Sequence, residues 1–298
     1  MGRRKRYFTH KCRGAWGFTL LELLVVIGIV AILSSILVPV LGKARQKTKV
    51  LLGSRRQHEV VSSVSLYSID NDDLFPQSVA TVGTGNGWNW SDPRKLIASD
   101  EIYLGMHRSM GGYLGSYIED ADTMFCPSAP RKYPYLQAAW EAGDDWDNPD
   151  TLFPRDPLTG TYCFYWNYTG LLYEKYRLFE GPWSSSGSPG QSKVLMSDYA
   201  GYDHWRKPNA FGSCEKIPAS ATTKPNLPLM SDWWYRRSTG SGPPDVKLNA
   251  GYVDGHVGSF GMAGAVKMKV IIDRSNCEPY LGGGIGPGEF FLPPDACR

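Results

Sequence analysis

At 298 residues the chain is long enough for one or two domains with a sizeable buried core. Its formal charge of +3 is local: Arg3, Arg4, Lys5, Arg6, Lys11 and Arg13 stand in the first 17 residues with no acid among them, and the remainder holds 26 basic against 29 acidic side chains. The main body therefore offers no electrostatic footprint for nucleic acid, and no such partner is expected. Gly, Pro, Trp and Tyr are abundant (33, 21, 10 and 17), which suits a loop-rich, aromatic-stapled extracytoplasmic domain better than a helical bundle. Of six cysteines, Cys12 lies in the basic stretch; Cys126, Cys163, Cys214, Cys277 and Cys297 are widely spaced and form no CxxC pair. That spacing argues against a zinc cluster or a thioredoxin-type site. Five is an odd number, and the sequence does not reveal the pairing.

The basic stretch runs into "GFTLLELLVVIGIVAILSSILVPVLGKARQK". From Phe18 to Leu41 there are 24 residues with one charge, Glu22. At ~1.5 Å per residue this makes roughly 36 Å of helix, enough to cross a ~30 Å hydrocarbon core. A secretory signal has a shorter apolar region and ends at a small-residue cleavage site; here the run is longer, and Lys43, Arg45, Lys47 and Lys49 follow it. A plain anchor explains the length but leaves the lone carboxylate without a purpose. Six Lys/Arg precede the segment and six more lie in 43–56, so charge bias does not fix orientation.

Basic leader, Gly17, Phe18, Thr19, two Leu, Glu22 and a long apolar run: this order resembles the class III signal of type IV pilins and the pseudopilins of type II secretion. The resemblance covers roughly residues 13–45. It implies cleavage by a prepilin peptidase between Gly17 and Phe18, N-methylation of Phe18, and a place for Glu22 as the fifth mature residue. Pro39 falls where many members carry a helix-kinking proline. The expected partners are copies of this chain or other pseudopilins, the peptidase and the inner membrane, with the remainder of the chain outside the cytoplasm. The chemistry accounts for the carboxylate. Cleavage gives Phe18 a new cationic amine, and Glu22 lies four residues on, one helical turn away. An unpaired charge in lipid or a protein core costs several kcal/mol. Pairing of Glu22 with the amine of a neighbouring subunit would hold adjacent subunits in register.

The organisation expected is a leader at 1–17, a membrane and filament-core helix at 18–42, an amphipathic continuation at 43–76 and a globular head at 77–298. In the continuation Val50, Val60, Val61, Val64 and Tyr67 fall on one helical face, with Pro76 as the stop. The basic residues near its start read either as a solvated face or as contacts to acidic lipid headgroups. In the head, "TYCFYWNYTGLLY" (161–173) predicts a buried strand pair, "SKVLMSDY" (192–199) a short apolar strand, and "NAGYVDGHVGSF" (249–260) a hairpin about an Asp-Gly turn. The fold class is α+β: a long N-terminal helix packed on a small antiparallel sheet with long loops. "MFCPS" (124–128), "KVLMSDYAG" (193–201) and the hairpin segment are similar to elements of large-headed, protein G-like prepilin-type proteins of planctomycetes and related bacteria.

Few residues suggest chemistry. Asp254 and His256 stand two apart, as metal ligands or an acid–base pair, or simply as turn residues with His256 on a strand face. Glu141, Asp144, Asp145, Asp147 and Asp150 form an acidic loop, either solvated or a calcium site; some pseudopilins of the protein G class bind calcium in a loop, though EF-hand spacing is absent. Asp70, Asp72 and Asp73 form a smaller acidic group. The aromatic excess serves core packing or a carbohydrate-stacking platform. No GxSxG, P-loop, or GxGxxG opening a helix occurs. The chain thus reads as a structural filament subunit rather than an enzyme, the alternative being a membrane-tethered module that binds polysaccharide or another envelope component.

Overall fold

The computed structural model describes residues 19–80, 92–100, 106–127, 137, 140–141, 160–172, 177–187, 190–199, 201–202, 247–261, 264–273, 278–279 and 289–296. The chain divides into two compact units, Met1–Arg45 and Gln46–Arg298.

The first element, α1 (Leu20–Asp70), begins in the first unit. There Leu20, Leu21, Leu23, Val25 and Val26 are all exposed. These positions surround the whole circumference rather than one stripe, so no single partner face within the unit accounts for them.

The second unit contains the end of α1 and the remaining elements. In chain order these are β1 (Ile97–Asp100), β2 (Met106–Ser109), α2 (Met110–Leu114), a 3-10 turn (Ala121–Met124), β3 (Tyr162–Phe164), β4 (Thr169–Leu172), β5 (Arg177–Glu180), β6 (Val194–Asp198), β7 (Gly201–Tyr202), β8 (Lys247–Tyr252), β9 (Val257–Gly261), β10 (Val266–Lys269), β11 (Ile271–Asp273), β12 (Glu278–Pro279) and β13 (Glu289–Leu292). The architecture is α+β, and every strand pairing among the described residues is antiparallel. The main sheets run β5-β4-β10-β13-β7 and β3-β6-β8-β9; β1-β2 and β11-β12 are two-stranded ribbons.

The four-stranded sheet is apolar on both faces. Tyr162, Phe164, Leu195 and Met196 join the cluster of Val60, Val61 and Val64 from α1, together with Met110, Leu114, Met124 and Phe125. Cys163, Val194, Leu248 and Phe260 join the other cluster, with Leu172, Phe179, Met268 and Phe290 of the five-stranded sheet. The alternation at 162–164 follows from the two-residue period of a strand. Helix, sheet and sheet therefore stack in layers, and β3 and β6 are buried at every position. The aromatics serve this core: Trp166, Tyr162, Tyr165, Tyr168 and Tyr199 are among the largest fully buried side chains.

Two expectations need correction. Within 161–172 the chain does form two buried strands, but not a pair: β3 pairs with β6, and β4 with β5 and β10. Between them Tyr165 N–H donates to Leu195 and Asn167 N–H to Pro182, and Asn167 takes φ 52°, so the chain leaves one sheet for the other. Helix α1 also ends at Asp70, before Pro76. Asp72 and Asp73 adopt φ 54° and 67°, a left-handed region that Asp tolerates better than most side chains. Asp73 N–H closes onto the Ser68 carbonyl at 2.9 Å, and Asn71 Nδ2 donates to the Tyr67 carbonyl at 2.8 Å.

Close approach of helix and sheet depends on Gly251 in β8. A Cβ there would lie 2.4 Å from Val61 Cγ2 and 3.2 Å from Met196 Cγ. Val61 is β-branched and held at one rotamer in a helix, so it does not yield. Gly251→Ala is expected to destabilise the protein by about 2 kcal/mol, a fall in Tm of roughly 4–8 °C. Thermal unfolding of the full chain in detergent measures this, and Val61→Ala in the same chain should recover part of the loss.

Candidate functional site

The first turn of α1 is built from Thr19 and Glu22. Thr19 Oγ1 accepts from Glu22 N–H at 3.2 Å, while Glu22 Oε2 accepts from Thr19 N–H at 2.8 Å and from the Thr19 hydroxyl at 2.8 Å. This reciprocal pair is a capping box, and it satisfies donors that a helix N-terminus leaves orphaned. The first backbone bond of the helix, Leu23 N–H to Thr19 carbonyl, follows at 3.2 Å. The carboxylate is thus held against the positive end of the helix. The Thr-x-x-Glu spacing at 19–22 announces this cap in the sequence, a signal separate from the one that singled out Glu22.

Gly17 and Phe18 lie outside the described residues. Pro39 lies inside α1, where it supplies no N–H for the carbonyl of Ser35 four residues earlier. By length and composition, α1 is able to cross a membrane.

The acidic positions do not assemble among the described residues. Asp144, Asp145, Asp147 and Asp150 lie outside them; Glu141 is exposed and accepts from Gln137 Nε2 at 3.0 Å. No group of three or more His, Cys, Asp or Glu placed to hold a metal occurs among the described residues. Asp73 instead accepts from the hydroxyls of Ser185 and Ser186, and Asp70 from Tyr117 Oη at 2.7 Å.

Asp254 and His256 belong to the turn between β8 and β9, where Gly255 takes φ 89°. His256 precedes the strand instead of lying on its face. Its ring stacks on Tyr252 with centroids 4.2 Å apart, and Nδ1 pairs with Asp254 Oδ1. Tyr252 Oη donates to Asp295 Oδ1 at 3.0 Å, so these polar groups staple the hairpin tip.

Sequence reasoning did not anticipate the buried ion pair behind β3. Arg94 Nη2 meets Asp92 Oδ2 at 2.5 Å, with Nε at 3.0 and 3.1 Å from the two carboxylate oxygens. The guanidinium lies 4.1 Å from the centroid of the Tyr199 ring. Burial pushes the Asp92 carboxyl up, but Arg94, with Lys95 adding, outweighs it and holds it below the usual carboxylate range. Cys163 is a free, buried thiol; burial, reinforced by Asp92, pushes its pKa far above that of a reactive cysteine. Cys126 is disulfide-bonded. The odd cysteine count is thus explained in part by a core thiol.

The chain is similar to the major component PilA4 of the type IV wide pilus of Thermus thermophilus, with 37% identity over 73 residues. The matched stretch is 24% of this chain and 56% of that protein, so the chain spans little more than half the length of this curated relative. No family model matches the chain, and no solved structure matches it. The likeness is to a type IV pilin, a structural protein and not an enzyme.

Proposed function

We propose that the chain is a structural subunit of a type IV pilus-like filament or of a type II secretion pseudopilus, matured by a prepilin peptidase. The observation that carries this reading is an apolar, exposed helix whose first turn holds a single carboxylate, Glu22, directly after a basic leader ending in Gly17. Similarity to a type IV pilin supports it. Cleavage between Gly17 and Phe18 gives a methylated N-terminal Phe18; residues 18–42 lodge in the inner membrane with the head outside the cytoplasm. In the filament, Glu22 of one subunit pairs with the Phe18 amine of a copy or another pseudopilin. The segments at 124–128, 193–201 and 249–260 support a head of the large-headed, protein G-like kind.

The test is Gly17→Val. A peptidase that requires glycine at the cut leaves the leader attached, and the variant accumulates in the membrane as the longer form. Normal maturation of this variant contradicts the assigned site.

A further inference from the structure

Between α1 and β3–β6 lies a group of polar side chains sealed from solvent. Gln57, Tyr162 and Asp198 are each 0% exposed. Gln57 Nε2 donates to Asp198 Oδ1 at 2.8 Å, and Asn249 N–H donates to Asp198 Oδ2 at 2.8 Å. The other end of the Gln57 amide, Oε1, and the Tyr162 hydroxyl have no hydrogen-bond partner among the described residues. Tyr162 stands directly opposite Asp198 in the β3–β6 register, and directly opposed residues share a sheet face with Cβ atoms ~5 Å apart. Burial pushes the pKa of that hydroxyl well up, with the Asp198 carboxylate adding and the Arg56 guanidinium opposing. An acceptor without a donor and a hydroxyl without a partner thus flank one buried carboxylate. A buried polar group left unpaired is costly, and native interiors meet that cost with internal water that makes about three hydrogen bonds.

We propose that Gln57, Tyr162 and Asp198 form an internal water-binding site. One water donates to Gln57 Oε1 and bonds the Tyr162 hydroxyl, joining the helix to β3. The site is polar on both sides of the helix–sheet seam and apolar around it: Val60, Val61, Phe164 and Met196 belong to the same core cluster. Residues 46–70 of α1 are therefore held in one register on the sheet, since a shift along the helix axis would strand all three polar groups among apolar ones. This inference concerns the interior of the second unit and does not depend on filament assembly.

The sign of one substitution tests it. Tyr162→Phe preserves shape and removes only the hydroxyl. With a bound water the change breaks a hydrogen bond, and the Tm of the full chain in detergent falls by several degrees. If the hydroxyl is merely orphaned, its removal relieves a penalty and the Tm rises, which overturns the proposal. The second measurement is a double-mutant cycle with Gln57→Met. Water-mediated pairing makes the double variant less destabilised than the sum of the singles. Strict additivity also overturns it. A stabilisation that appears only with added sodium or potassium would assign the site to a cation instead, contradicting water as the occupant.

Discussion

Arg94→Met is expected to lower the stability of the protein by about 3–5 kcal/mol, because it leaves the Asp92 carboxylate buried without its partner. Both side chains are almost wholly enclosed, with 9% and 3% of their surfaces exposed, so water does not replace the lost bonds. The Tyr199 ring also loses the cation above it. Asp92→Leu added to Arg94→Met should recover much of the loss, since a well-packed apolar pair is often as stable as the ion pair it replaces. The pH dependence has a definite sign. The folded-state pKa of Asp92 is depressed, so its contribution is complete above the ordinary carboxylate range, near pH ~4. It is lost as the pH falls through the depressed native value. Denaturant unfolding at neutral and acid pH measures this: the wild-type protein should lose stability in acid through Asp92, and the double variant should lack that component.

The second large effect is on assembly. Glu22→Ala is expected to leave the subunit stable in the membrane while nearly abolishing its recovery in sheared filaments. Removing a charge from an apolar helix does not hinder insertion. What is lost on the proposed reading is the partner of the Phe18 amine in a neighbouring subunit, and an unpaired charge within a packed filament is strongly penalised. Glu22 also caps the helix through Thr19. Thr19→Ala is the control that separates the roles: it removes the hydroxyl from the capping box but keeps the carboxylate. Thr19→Ala should fray the first turn, at about 1 kcal/mol, and still permit incorporation. Wild-type amounts of Glu22→Ala subunits in filaments would contradict the assembly role.

What the sequence revealed follows the range of the forces involved. The valines at 60, 61 and 64 were legible as a packing face because helical periodicity is local, and all three are fully buried. The β8–β9 hairpin was legible for the same reason, since Asp254-Gly255 fixes its turn. Burial of 161–172 is readable from the aromatic run, but the partners of its strands lie elsewhere in the chain, and no local pattern names them. The sequence marks the end of α1 near "DNDDLFP" through Pro76, the more conspicuous breaker, whereas two aspartates in left-handed conformation stop the helix first. Asp92 and Arg94 stand in a stretch with no local pattern that marks them as buried. Only the tertiary enclosure of Asp92 against Arg94 and Tyr199 makes it part of the core. At the candidate site Glu22 stood out as a lone charge in an apolar run, while its bond to Thr19 was written in the Thr-x-x-Glu spacing and is a short-range feature like the hairpin.

The central claim is that this chain enters a filament-assembly route through its N-terminus. The mass of the protein extracted from membranes of a cell with an active prepilin peptidase tests it most directly. The expected result is a chain that begins at Phe18 and carries one added methyl group on that residue. A chain that retains Met1, or one cut at any bond other than that between Gly17 and Phe18, contradicts it.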